Sequence, residues 1–454
     1  MSLARRRIAE AAALGALLAA AGILFARNLH TAATYDEGVY LTSLDALRHG
    51  DSLGSEVFAS QPPGFYVLLR LIGIFSGRSV TGARVGFILV ALVGCAAAYA
   101  LGRALVGVVG GLVAVGLIAV LPPFPAEAMR VDADVPAVSL SLVALALAAW
   151  STKRGSPWLA AAAGAAFAAA VSVKLDALIA IVPLVALLTV GHASRRIVGA
   201  TLAGSALVTA AFLVGYAGVL DDLWESVVSF HRDARSYASP VPNGHVLGHF
   251  LDFRTPGAWL VVVGLATSVF AWRLVWPLWL WALAATLFLL WQKPLFDHHL
   301  VLLCTAVGAA AGVAIGKLPT AALAVVLLGL LIGGAQQFHR IGLDAVAEPA
   351  EWSWGEQELR RCGEPVAADQ QIVAFLAARR VPGQLVDTSL VRLATDSLSP
   401  REVLQIVDRQ KVQAVYASRS FLAYPEILAG LRARFGPPDR HGSAQLYARA
   451  ECAA

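Results

Sequence analysis

The sequence predicts an α-helical polytopic membrane protein, with about eleven spanning helices and a small α/β domain outside the membrane at its C-terminal end. Three observations carry this expectation. The 454 residues are 58% hydrophobic and only 14% charged, against roughly 25% charged in soluble globular proteins. Apolar runs long enough to cross about 30 Å of hydrocarbon recur from the N-terminus to residue 335. After Gly334 the chain turns polar, and strand-like and helix-like segments alternate. The net charge of +5 is therefore no sign of a nucleic-acid partner; what matters is where the cations fall relative to the spans. Abundant Ala and Gly suit close helix packing in lipid.

Arg5, Arg6 and Arg7 precede an apolar run from Ile8 to Ala26. It reads as an uncleaved first span with its N-terminus in the cytoplasm, because further spans follow. Gly64 to Phe75 follows Pro62 and Pro63, is interrupted by Arg70 and is too short to cross. It is expected to lie in the outer interface. The later spans fall near 82–102, 107–121, 135–150, 157–172, 175–190, 197–217, 257–273, 274–291, 299–316 and 319–335. Counted as single crossings, they put Lys153, Arg154, Arg195, Arg196, Arg273 and Lys317 on the cytoplasmic side. The expected division is a membrane domain over 1–335, with its first external loop at 27–81, and an external α/β domain over 336–454.

On this topology the polar groups gather outside. Asp36 and Glu37 stand just beyond the first span, followed by an amphipathic run. Two readings stand: Asp36 caps a helix near the positive end of its dipole, or a general base sits at the membrane surface. Arg130, Asp132 and Asp134 follow in AEAMRVDADVP, and Lys174 and Asp176 in SVKLD. Charges at membrane depth are costly, so Lys174 and Asp176 call either for a local ion pair or for a water-filled cavity opening outward. Residues 221–255 mix His231, Arg232 and Arg235 with Trp224, Phe230 and Tyr237. Arginine suits phosphate oxygens, although the same segment also reads as an amphipathic helix on lipid head groups. His298 and His299 read as substrate contacts or as ordinary polar residues at a span end, since adjacent histidines lack metal-ligand spacing.

In the tail, AADQQIVAFLAARR has helical spacing and QLVDTSLVRL contains an expected strand. Ser399, Pro400 and Glu402 form a capping-box pattern. A helix to Gln410, the strand VQAVYAS, a helix from Ile427 to Phe435 and the strand QLYAR complete the tail. No glycine-rich phosphate loop is present, so nucleotide binding is not expected. Cys362 and Cys452 lie near the two ends of this domain, where a disulfide could join them outside the cytoplasm.

TYDEGVYL, QPPGFYVLLRLIG, ARVGFILVALVG, RVDADVPAVSLSLVALAL and SVKLDALIAIVPLVALL, in that order, resemble the core of the GT-C glycosyltransferases. The likeness is to the bacterial branch related to protein O-mannosyltransferases and to the aminoarabinose transferase of lipid A; LVDTSLVRL resembles the external domain of the same branch. The resemblance implies transfer of a sugar from a polyprenyl-phosphate donor to a lipid, glycan or protein acceptor on the outer face of a bacterial plasma membrane. It implies that Asp36 is the general base, Glu37 its companion and Asp134 the second-loop acid. Arg235, with Arg232 and His231, would meet the donor phosphate, and Lys174 would play a similar part. Gln61 stands where the aminoarabinose branch carries Lys before Pro-Pro, which argues against that sugar.

The chemistry requires no cofactor, because the donor leaves as a lipid phosphate; Asp132 and Asp134 could nonetheless take a divalent cation. A transporter or a flippase of lipid-linked sugar is the alternative. Such proteins commonly carry internal repeats, and the sequence shows no convincing one.

Overall fold

A computed structural model describes residues 3–237, 242–250 and 253–452. All eleven expected spans are helices, and among the described residues seven helices are long and apolar enough to cross a membrane. The seven are Ala4–Asn28, Val80–Leu105, Asp134–Arg154, Arg195–Gly215, Trp272–Trp291, Asp297–Ile315 and Thr320–Leu343. The other four expected spans are the shorter helices Val108–Val120, Pro157–Val173, Leu175–Val190 and Pro256–Phe270. The chain is a membrane protein whose bulk is a helical bundle.

The chain forms two compact units, each assembled from three separate segments. The first comprises Met1–Leu29, Arg84–Gly215 and Ser239–Asp344. Its centre is the Leu300–Ile315 helix, buried along its whole length. Small residues make that possible: a methyl group on Gly312 would overlap Ala114 of the Val108–Val120 helix, so the two backbones touch directly. The Pro157–Val173 and Arg195–Gly215 helices approach in the same way, with Gly164 against the Thr201 carbonyl.

The second unit comprises His30–Ala83, Tyr216–Ala238 and Ala345–Ala454. The boundary thus falls later than the expected 336, because the Thr320–Leu343 helix continues through the polar residues Gln336, Gln337 and His339. The first loop is also part of the same unit as the C-terminal segment. A four-stranded sheet of order β1-β2-β4-β3 forms its layer, with β1 at Val366–Ala368, β2 at Ala414–Ala417, β3 at Asp439–His441 and β4 at Ala444–Ala448. β1 pairs parallel to β2, in register Val366 with Ala414. β2–β4 and β3–β4 are antiparallel. The expected capping box at Ser399 starts the Pro400–Arg409 helix, with Glu402 closing it.

The Pro63–Ser76 helix buries Phe65, Tyr66 and Leu69 and exposes Val67, Leu71, Ile74 and Phe75, an apolar stripe at helical spacing.

One expectation is corrected here, and one alternative left open by the sequence is answered. Residues 384–393 form no strand. Asp387 accepts the Ser389 N–H at 2.9 Å, Ser389 caps the Leu390–Ala394 helix, and Arg392 reaches back to the carbonyls of Gln384 and Asp387 at 2.7 and 2.6 Å. Side chains that bond the local backbone draw it away from a ladder. Cys362 and Cys452 are free thiols rather than a disulfide. They are hydrogen-bonded neighbours, and burial together with Cys452 pushes the Cys362 thiol up to about 12.

Candidate active site

The second unit holds the first pair of acids. Thr34, in an extended conformation, caps the Tyr35–Arg48 helix: its hydroxyl accepts the Glu37 N–H at 3.2 Å and the Glu37 carboxylate accepts the Thr34 N–H at 2.8 Å. The cap is therefore Thr34 rather than Asp36, and Glu37 is buried in closing it. Asp36 sits half-buried in the first turn, where unsatisfied N–H groups and the helix dipole favour negative charge.

Around that turn lies a polar network that sequence reasoning missed. The Tyr35 hydroxyl donates to Asp387 at 3.1 Å and accepts the Thr388 N–H at 3.1 Å. The Arg419 guanidinium lies 4.2 Å from the centre of the Tyr35 ring. Arg419 is held in turn by Asp369, whose buried carboxylate accepts the backbone N–H groups of Ser418, Arg419 and Phe421, each at 2.8 Å. Burial raises the Tyr35 phenol well above its usual value, and the Asp387 charge adds to that. Gln61 donates to the Tyr40 hydroxyl at 3.1 Å, one helical turn beyond Asp36.

The basic residues lie in this unit too. Phe230 packs edge-on against Phe58 with ring centres 5.4 Å apart, which anchors the short helix Phe230–Asp233. His231 and Arg232 are exposed, and Arg232 is paired with Asp233 at 3.1 Å. Arg235, on the following turn, is half-buried. Residues 238–241 and 251–252 of the expected basic loop lie outside the described residues.

The first unit holds the second pair of acids. Asp132 accepts the Asp134 N–H at 3.0 Å at the start of the Asp134–Arg154 helix. At Lys174 the chain leaves the Pro157–Val173 helix in an extended conformation. That break turns the ammonium inward, where it donates to Asp134 at 2.7 Å and lies 3.7 Å from Asp176. The partner is thus forty positions away in sequence, and both members are buried. Arg130 pairs with Glu127 at 2.8 Å. Burial drives the Asp132 carboxyl well above its usual range, and the charges of Asp134 and Glu127 push the same way against the pull of Lys174.

His299 is buried and accepts the Phe296 N–H at 3.2 Å, while His298 stacks on Phe296 with centres 5.6 Å apart. Gln292 lies 3.2 Å from the His299 ring, and among the described residues no three His, Cys, Asp or Glu gather to hold a metal ion. A cavity of about 690 Å³ is lined by apolar side chains such as Leu17, Val113 and Leu330 and contains none of these groups.

No curated protein matches the sequence. A family model of dolichyl-phosphate-mannose-protein mannosyltransferases matches residues 60–217. That stretch includes Gln61, Asp132, Asp134 and Lys174 and begins after Asp36 and Glu37. The crystal structure of ArnT from Cupriavidus metallidurans bound to undecaprenyl phosphate superposes with a TM-score of 0.74, covering 98% of this chain and 98% of that one at 13% identity. This is the GT-C fold. The archaeal oligosaccharyltransferase AglB from Archaeoglobus fulgidus, in complex with an inhibitory peptide and a dolichol-phosphate, is similar at a TM-score of 0.61. It is 12% identical, and the match covers 94% of this chain and 72% of that chain.

Within this GT-C chain, the site residues chosen from the sequence divide between the units. Asp36, Glu37, Gln61, His231, Arg232 and Arg235 belong to one, and Arg130, Asp132, Asp134, Lys174, His298 and His299 to the other. Tyr35 was adjacent to a chosen acid and could have been found. Asp369, Asp387 and Arg419 carry no local signal.

Proposed function

We propose that the chain is an integral membrane glycosyltransferase that moves a sugar from a polyprenyl-phosphate donor to an acceptor hydroxyl at the outer face of a bacterial plasma membrane. The observation that carries this reading is the GT-C fold over the whole chain, with an acid in the first turn of the helix that follows the first span. The similar structures are described with undecaprenyl phosphate and dolichol-phosphate, and the matching family model names a dolichyl-phosphate-linked donor.

In this reading Asp36 takes the proton of the acceptor hydroxyl as the hydroxyl oxygen attacks the anomeric carbon. The bond from that carbon to the donor phosphate breaks, and the phosphate leaves as an anion with its lipid. Arg235, with Arg232 and His231 beside it, meets the phosphate. Glu37 maintains the turn that presents Asp36. Lys174 already supplies a cation to Asp134 at 2.7 Å, which favours a reaction that needs no added metal. Gln61 in place of a lysine favours a sugar other than aminoarabinose. The N-terminus lies in the cytoplasm, the C-terminal unit lies outside, and Pro63–Ser76 lies in the outer interface with its apolar stripe toward lipid.

The test is transfer of radiolabelled sugar from synthetic polyprenyl-phosphate donors by the purified full chain in lipid nanodiscs, with and without EDTA. Covalent product is expected in both. Asp36→Asn should lower turnover by about 10²- to 10⁴-fold while leaving the melting transition in place. Full activity in that variant would remove Asp36 from the role of base. Movement of intact donor across liposomes without product would favour a flippase instead.

A further inference from the structure

The Asp134–Arg154 helix has 21 residues, so its two ends lie about 30 Å apart, the thickness of a bilayer core. The end opposite Asp134 carries a second polar site that glycosyl transfer does not use. Trp150 is its platform. The indole N–H donates to the Ala100 carbonyl at 3.0 Å, which fixes the ring against the Val80–Leu105 helix. Three cations surround that ring: Arg154 at 4.7 Å, Lys153 at 5.3 Å and Arg103 at 5.7 Å from its centre.

A cavity of about 310 Å³ opens here, lined by Arg103, Trp150 and Arg154 on its polar side and by Leu147 and Leu159 on its apolar side. Among the described residues Glu10 is the one acid in contact, 2.5 Å from Arg103 and also bonded to the Tyr99 hydroxyl. Lys153 donates to the Ala104 carbonyl at 3.3 Å. Among the described residues neither Lys153 nor Arg154 has a carboxylate partner. Three positive groups against one negative leave an excess positive charge at the end of this helix, which an anion can complete.

We propose that this cavity binds the phosphate head group of an anionic membrane lipid, with the acyl chain passing over Leu147 and Leu159. Basic pockets between the ends of membrane helices suit such head groups. The apolar lining and the exposed Trp158 next to Leu159 place the site at lipid level, which favours a lipid over a free phosphate. The two arginines supply forked donors for phosphate oxygens, and the indole gives them a flat surface to lie on.

The test uses the delipidated full chain in a nonionic detergent, mixed separately with phosphatidylglycerol and phosphatidylcholine, with bound lipid read by native mass spectrometry. Phosphatidylglycerol should be retained in preference. Each cation removed should weaken it about fivefold, so Arg154→Gln loses about fivefold and Arg103→Gln with Arg154→Gln about 25-fold. Arg154→Lys should keep most of the binding, and Arg196→Gln, a change elsewhere on the same unit, all of it. Equal retention of both lipids would overturn the proposal, as would unchanged binding in a double variant that melts like the parent. If the double variant does not fold, Arg154→Gln decides alone, because that side chain is exposed. Displacement of the lipid by millimolar inorganic phosphate would reassign the site to a free anion.

Discussion

The Asp134–Lys174 pair shows how one buried contact can depend wholly on both partners. Each side chain is less than a tenth exposed, and removing one member of such a pair leaves a bare charge in a medium that solvates it poorly. Lys174→Met is expected to destabilise the protein by about 3 to 5 kcal/mol, whereas Lys174→Met combined with Asp134→Leu should recover most of the loss in a thermal melt. Asp132 carries the opposite lesson. Burial, then the neighbouring acids, hold its folded-state pKa above the ordinary 3.8. A raised value means that the folded protein favours the protonated acid. That stabilisation is present below pH 3.8 and is lost as pH rises through the raised folded value. Asp132→Asn keeps the oxygen that accepts the Asp134 N–H and removes the charge. The variant should melt higher than the parent at neutral pH, with the gap closing below pH 3.8.

At the scale of elements, the Tyr35–Arg48 helix is oriented by what it cannot accommodate as much as by its cap. A Cβ at Gly38 would stand 2.7 Å from the Ile372 backbone nitrogen, so the helix lies directly on the Gln371–Leu376 helix. Gly38→Val should cost about 1 to 3 kcal/mol by forcing these helices apart. Gly15→Ala, which meets nothing within 4 Å, should be neutral or slightly stabilising in the same melt. The capping box at Ser399 was legible because its partners are three residues apart. Residues 384–393 were misread because the strand preference of Val386, Thr388 and Val391 is overridden by Asp387, Ser389 and Arg392, which bond the backbone locally.

For the whole molecule, the decisive fact is that each unit is stitched from three stretches of chain. Residues 30–83 and 345–454 share one core: Tyr35 bonds Asp387, Arg380 bonds Asp51 at 2.5 Å, and the Phe58 N–H donates to the Gly383 carbonyl at 3.1 Å. A chain ending at Asp344 keeps its spanning helices but leaves the first loop without those partners. Trypsin should then cut at Arg48, Arg70 and Arg78 far faster than in the parent, read by mass spectrometry of the fragments. Equal protection in the two chains would mean that the first loop folds without the C-terminal segment.

Composition and local pattern determined the membrane class, the helix at each expected span and the strands at 414–417 and 444–448. Each of these follows from interactions within a few residues, or from the transfer of an apolar run out of water. Tertiary structure alone decided that Lys174 pairs with Asp134 and that Tyr35 is held by Asp387 and Arg419. Those contacts join positions tens to hundreds of residues apart. Their energies come from burial and hydrogen-bond geometry that exist only once the chain has brought them together.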